Sequence, residues 1–341
     1  MRALLRVLIC PACLVASGLA PAQESRDCPA LFHEAAIVEH EPIAVDRLEG
    51  QTVFPVPDLP GLLGSLAGFC IAVFDAGSVM PIVAGSTDDT GSFEFASLPA
   101  GYYVLIGKHA SGQGESLRLP VRLLNEADAG EAKRGLLIRV DMQGSRQDAR
   151  GEAIGNLDLR RTLVGMLAAD QAIRTEMIDQ GMENVAPEMQ ERMNNVDAQT
   201  ELHLAEILRE HGWPGLDVVG LDGSNAASVM LQHAGRELQR QAMPLVEAGF
   251  RARTVSGPNY AMLVDRVRLS EGRPQLYGTV AMPFTQTGEV TFQPIEDESG
   301  VDARRAEVGL MPLEEYRQLM RQMYFPDPTK SGAMRANEPG Y

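Results

Sequence analysis

The chain has 341 residues, a formal charge of −16 and only 5% aromatic residues. A surface of that sign repels nucleic acid and anionic membrane, so neither is expected as a general partner. The length predicts two domains. The one long apolar run lies at the N-terminus and is short for a membrane span, so no span is expected once it is removed.

Residues 1–22 read as a secretory signal. Arg2 and Arg6 form a basic start, Leu4 to Leu19 is largely apolar, and Ala20-Pro21-Ala22 offers the small-x-small pattern of a cleavage site. The cut is expected after Ala22; an uncleaved N-terminal anchor is the alternative. Cys13 follows Cys10-Pro11-Ala12, which lacks the aliphatic residue expected three positions before a lipidated cysteine. Cleavage removes two positive charges, so −16 becomes −18. The mature protein is therefore expected to be exported, periplasmic or extracellular. Cys28 and Cys70 remain as an even pair in an oxidising compartment, and a disulfide between them would tie the N-terminus to the first domain. Two buried thiols are the alternative.

Residues 23–45 form a polar lead-in, and 46–142 carry the pattern of strands. Phe69 to Phe74 is a buried-strand run. Asp88-Asp89-Thr90-Gly91 is a turn whose glycine supplies a positive φ. Ser92-Phe93-Glu94-Phe95 alternates with period two. Leu98-Pro99-Ala100-Gly101 is a second turn, followed by a strand through Tyr102-Tyr103-Val104-Leu105-Ile106. Leu117 to Leu124 and Leu136 to Val140 supply two more. The turn-strand-turn-strand pattern from Asp89 to Leu105 resembles the carboxypeptidase regulatory-like, or transthyretin-like, β-sandwich family. That resemblance implies a structural spacer or recognition module and no catalytic role. The glycines of 143–156 predict a linker.

From 157 the apolar period becomes helical. Leu159, Leu163, Met166, Leu167, Ile173 and Met177 lie along one face. Asp170 and Arg174 fall beside that stripe at a spacing that lets them pair, because a lone charge there is costly. A second helix is expected from Glu188 to His211, with Asp197 on its flank. A third follows Asp222-Gly223-Ser224, with Asp222 or Ser224 as cap and His233 on the shoulder of its stripe. Pro244 opens or kinks the next helix. Ser256-Gly257-Pro258 starts another, with Asp265-Arg266 on its more polar side. A hairpin is expected from Gln275–Val280 and Val290–Gln293, with turn chemistry at Gln286-Thr287-Gly288-Glu289. A short helix then carries Arg304-Arg305, Pro312 opens the last helix, and 325–341 form a Pro- and Gly-bearing tail. The expected fold is thus multidomain: an all-β sandwich at 46–142, then a mainly helical α+β domain at 157–324 with one β-hairpin.

The second half resembles an uncharacterised bacterial domain family of unknown function. The residues that carry this are Asp170-Gln171 with Arg174, His211-Gly212-Trp213-Pro214, Gln232-His233-Ala234, Asp265-Arg266-Val267, Tyr277-Gly278-Thr279 and Arg304-Arg305. Gly212, Trp213 and Pro214 are equally well explained as a helix stop, which leaves His211 as the residue of interest. The expectation is a polar cleft. Asp170, His211 and His233 are its candidate catalytic residues; Arg174, Trp213, Gln232, Asp265, Arg266, Tyr277, Arg304 and Arg305 are candidate ligand contacts. No cofactor is predicted. Two histidines with Asp170, Asp197 and Asp265 could hold zinc if three or four converged, but no short metal motif is present. No Gly-x-Ser-x-Gly elbow and no phosphate-binding glycine loop occurs. The leading expectation is an envelope module that binds an unknown ligand or envelope component. The alternative is a hydrolase with His211 or His233 and a carboxylate as acid and base.

Overall fold

A computed structural model describes residues 28–32, 41–56, 62–109, 116–141, 148–179, 185–282 and 289–324. The expected signal, the hairpin turn at Gln286–Gly288 and the tail lie outside these residues.

The N-terminal region packs two sheets face to face. One sheet has the order β1 (Ile43–Val45), β8 (Leu117–Leu123), β7 (Gly101–Lys108), β4 (Cys70–Asp75), β5 (Val83–Ser86). The other runs β10 (Asp148–Ile154), β9 (Gly135–Asp141), β2 (Glu49–Pro55), β3 (Leu63–Ser65), with β6 (Ser92–Glu94) also paired to β2. Alternation decides what each side chain meets. Ile71, Val73, Leu105, Leu119 and Val121 of the first sheet pack on Leu136 and Ile138 of the second. The opposite face of the first sheet is covered too, by Cys28 and Phe32 against Cys70, Phe74 and Ile106. Burial on both faces explains why β4 reads as a continuous apolar run. Cys28 and Cys70 form a disulfide. Asp88 shapes the expected turn, accepting from the Thr90 and Ser92 amides, and Gly91 has φ 72°.

The stretch 143–156 is not a simple linker. Its second half is strand β10, antiparallel to β9 with Gly151 opposite Ile138. Gly151 is there for space: a Cβ on it would stand 2.3 Å from Ile43 Cδ1.

Among the described residues seven helices follow: α1 (Leu157–Asp179), α2 (Pro187–His211), α3 (Leu216–His233), α4 (Arg236–Arg251), α5 (Gly257–Ser270), α6 (Val301–Glu307) and α7 (Leu313–Tyr324). Leu163, Leu204, Ala227, Met230, Leu231, Leu238, Val246 and Leu263 join five of them in one core. Pro244 lies inside α4, and Ser256 caps α5 by accepting from the Asn259 amide. The hairpin is shorter and later than expected: Ala281–Met282 pairs with Thr291–Phe292, and Gln275 instead bridges Ile295.

The two regions share a core. Val53, Leu137 and Ile154 of the second sheet pack on Leu157, Leu216 and Leu221. Buried Gln51 turns its amide oxygen to the Leu221 amide at 2.9 Å and donates to Thr90 O at 2.8 Å. Arg160 grips Asp222 through two hydrogen bonds of 2.9 Å and reaches Ser92. Helix α3 therefore starts earlier than its expected cap; Asp222 serves Arg160, and the helix is broken at Gly220 (φ 72°, ψ −177°). That conformation is open to glycine and strained for other residues. A Cβ there would also stand 3.3 Å from both Gln51 Oε1 and Ile154 Cδ1. Gly220→Ala is expected to cost about 1–3 kcal/mol by urea unfolding; an unchanged midpoint would contradict this account of the joint.

Candidate functional site

Helices α1 and α2 form a hairpin, and α3 runs alongside α1. This brings together side chains from three helices. Asp170 and Arg174 come from α1, Asp197 from α2 and His233 from the end of α3. The two α1 residues are completely buried, and Asp197 and His233 are 6% and 4% exposed. Arg174 donates to Asp170 through Nε and Nη2, the latter at 2.8 Å, and its Nη2 reaches Asp197 Oδ1 at 2.5 Å. His233 Nδ1 lies 3.1 Å from Asp170 Oδ1, and Gln171 Nε2 donates to Asp170 Oδ2 at 2.8 Å. Both Asp170 oxygens are thus engaged several times over. One guanidinium fork serves two carboxylates, a geometry that arginine supplies and lysine does not.

The electrostatics follow. Burial opposes charge on Asp170, but hydrogen bonds from His233 and Arg174 outweigh it and hold the carboxyl well below the usual range. Burial pushes Asp197 upward, against the pull of Arg174. Burial pushes His233 down; the bond to Asp170 does not compensate, and the positive charges of Arg174 and Arg266 add to the shift. The neutral ring is therefore the form the fold prefers, with Nδ1–H donating to Asp170. An unfolded chain takes up a proton below 6.5 that the folded chain resists, so the stability from His233 is complete above that pH and declines as pH falls through it. Unfolding midpoints measured from pH 7.5 to 5 are expected to decline, and His233→Asn to flatten this limb. A wild-type midpoint constant across the window would contradict the assignment.

The other predicted site residues do not join this cluster. His211 is exposed at the far end of α2. It lies fourteen residues beyond Asp197, about 20 Å along the axis. His233 lies at the opposite end of α3 from the Trp213 turn, so the two histidines do not share a site. Gly212 has φ 70° and ψ −154°, its amide caps Leu208 O, and Pro214 is buried. Trp213 is half-buried on the helical core; its Cδ1 stands 3.5 Å from where a Cβ on Gly249 would lie. Its Nε1 is buried with no hydrogen-bond partner, as is Nε2 of Gln232. The motif is a helix stop.

Asp265, expected on a polar flank, is completely buried. It accepts from the amides of Leu276, Tyr277 and Thr279 and from the Thr279 hydroxyl, at 2.7 to 3.1 Å. Arg305, 1% exposed, donates to the carbonyls of Met311 and Tyr277, both at 2.6 Å, and stacks over Tyr316. Arg304 donates to the carbonyls of Leu276, Glu296 and Asp297. The arginine pair, expected as ligand contacts, therefore binds backbone carbonyls. Tyr277 is half-buried, and burial first, then the charges of nearby Tyr260, Asp265 and Glu307, pushes its phenol up to about 12. Arg266 is half-buried beside His233.

The expected cleft thus resolves into a sealed charge cluster, a helix stop and a loop clamp. Among the described residues no three His, Cys, Asp or Glu side chains are grouped to hold a metal, and no helix is long and apolar enough to cross a membrane. Sequence reasoning missed Gln51 and Arg160. The signal for Arg160 was its place beside Leu159 and Leu163 on the apolar stripe of α1; Gln51 carried none.

A β-sandwich fused through a shared core to a helical domain with an internal charge cluster is the class of protein that these features define. The helical region, residues 157–326, is a domain of a family described as a family of unknown function (DUF6624). No carboxypeptidase regulatory-like family is identified in the β-rich region. No curated protein and no solved structure matches the chain.

Proposed function

We propose that this is an exported, non-catalytic binding or interaction module, in which the helical domain acts as a rigid body docked on a β-sandwich. One observation carries the reading. The histidine–carboxylate pair that the helices bring within hydrogen-bond reach, His233 with Asp170, is sealed at 4% and 0% exposure with its charges already partnered. An acid–base pair must reach its substrate directly or through one water, and this one is held in the core. Export is supported by the basic-apolar start ending in Ala20-Pro21-Ala22 and by the Cys28–Cys70 disulfide. The sandwich pattern that resembles carboxypeptidase regulatory-like modules fits a spacer or recognition role.

The test is a turnover panel of ester, glycoside and peptide substrates, run with the purified protein and with His233→Asn. No turnover above buffer is expected from either. Turnover above buffer overturns the reading, and its loss in a folded His233→Asn protein assigns it to a hydrolase that uses this histidine.

A further inference from the structure

An open cleft of about 260 Å³ lies at one mouth of the β-sandwich. Its floor is apolar: Leu48 and Leu123 are buried, and Phe95 and Leu98 are half-buried. Four ionisable side chains line it, and two of them are already engaged. Asp46 accepts three hydrogen bonds from Arg134, from its backbone amide, Nε and Nη2, at 2.8, 2.9 and 3.4 Å. Glu49 is bound by Arg161 and lies 3.9 Å from Arg160. Arg47 and Glu94 are exposed at the rim, and neither side chain has an ion-pair partner among the described residues. The wall between Glu94 and Leu98 includes Ser97 at φ 66°, one of three non-glycine residues with positive φ among the described residues. Such strain persists where its surroundings over-determine it, and it clusters at ligand-binding loops.

The geometry points to a binding site for a small zwitterion with an apolar side chain: a free amino acid of leucine or phenylalanine size. Its carboxylate meets Arg47, its ammonium meets Glu94, and its side chain covers Leu48, Phe95, Leu98 and Leu123. Size sets the class. A volume of 260 Å³ equals that of about nine waters at roughly 30 Å³ each, and it falls just under the range of about 300–1,000 Å³ usual for ligand pockets. That is room for one amino acid of this size. Charge sets the rest, because the free rim charges are one cation and one anion above an apolar floor. A guanidinium binds carboxylate with directed hydrogen bonds, and an apolar floor favours burying a hydrocarbon side chain.

This inference rests on the non-catalytic binding reading and gives it a ligand class. The test titrates L-leucine and L-phenylalanine into the full chain by calorimetry, with leucinamide and N-acetyl-leucine as probes lacking one charge. Saturable binding of the free amino acids is expected. Arg47→Ala should weaken it about tenfold or more, as expected for loss of a hydrogen bond to a charged group. Leucinamide should bind the unaltered protein as weakly as leucine binds the Arg47→Ala protein. Glu94→Gln and N-acetyl-leucine should correspond in the same way. Both side chains are exposed, so the variants should keep the parent unfolding midpoint. No binding up to the solubility limit of phenylalanine overturns the inference, as does binding indifferent to both substitutions. If the amino acids fail while the substrate panel stays silent, only the zwitterion site falls; turnover in the panel removes the reading beneath it.

Discussion

Arg174→Ala is expected to destabilise the protein by about 3–5 kcal/mol, the range for removing one partner from a buried ion pair. Arg174 is completely buried and is bonded to both Asp170 and Asp197. Its loss leaves two carboxylates facing each other in the core and removes one of the two donors that hold Asp170 down against its burial. Arg174→Lys should recover only part of the loss, since one ammonium cannot reproduce a fork shared between carboxylates of two helices. Replacing Arg174 together with Asp170 and Asp197 by apolar residues of similar volume should recover most of it, because an apolar core avoids the desolvation cost. Urea unfolding at neutral pH measures all three. A loss below about 1 kcal/mol for Arg174→Ala would mean that the cluster behaves as a surface pair, and its sealed placement would be wrong.

The cluster also marks how far the sequence could be read. Asp170 and Arg174 were legible as a pair because both lie on one helix, four residues apart and against an apolar stripe. Asp197 and His233 arrive from other helices, and helical periodicity says only that each lies at the edge of its own stripe. The Gly212-Trp213-Pro214 stop was legible because it is local chemistry. The exposure of His211 was not, since that depends on which neighbours cover the end of α2. Strands with an apolar run or a clear alternation stood out. Strand β10 was hidden because Gly151 and Gly155 look like linker residues, and Gly151 is dictated by Ile43 from a distant strand. The cleft at the sandwich mouth is assembled from three separate segments, none with a motif.

Asp265 shows the same limit, and its replacement carries the second large effect. On a helix shoulder next to Arg266 it looks solvent-facing. Four donors from the loop Leu276–Thr279 close over it, and Arg304 and Arg305 take carbonyls of the same loop. The loop is thus held by its amides on one side and its carbonyls on the other. Burial pushes the Asp265 carboxyl upward, and the donors from Leu276, Tyr277 and Thr279 pull it back. Asp265→Ala removes the acceptor and strands three part-buried amides, each at the lower end of about 1–3 kcal/mol. A loss of about 3 kcal/mol or more is therefore expected. It should be local first: hydrogen exchange should accelerate at Leu276, Tyr277 and Thr279, while the Ile71 and Leu105 amides of the sandwich stay protected. Asp265→Asn keeps one acceptor oxygen and should retain part of the protection. Unchanged exchange at the three loop amides in Asp265→Ala would show that they are satisfied elsewhere. That result would leave Asp265 without the clamping role and would reopen it as a residue held for a ligand.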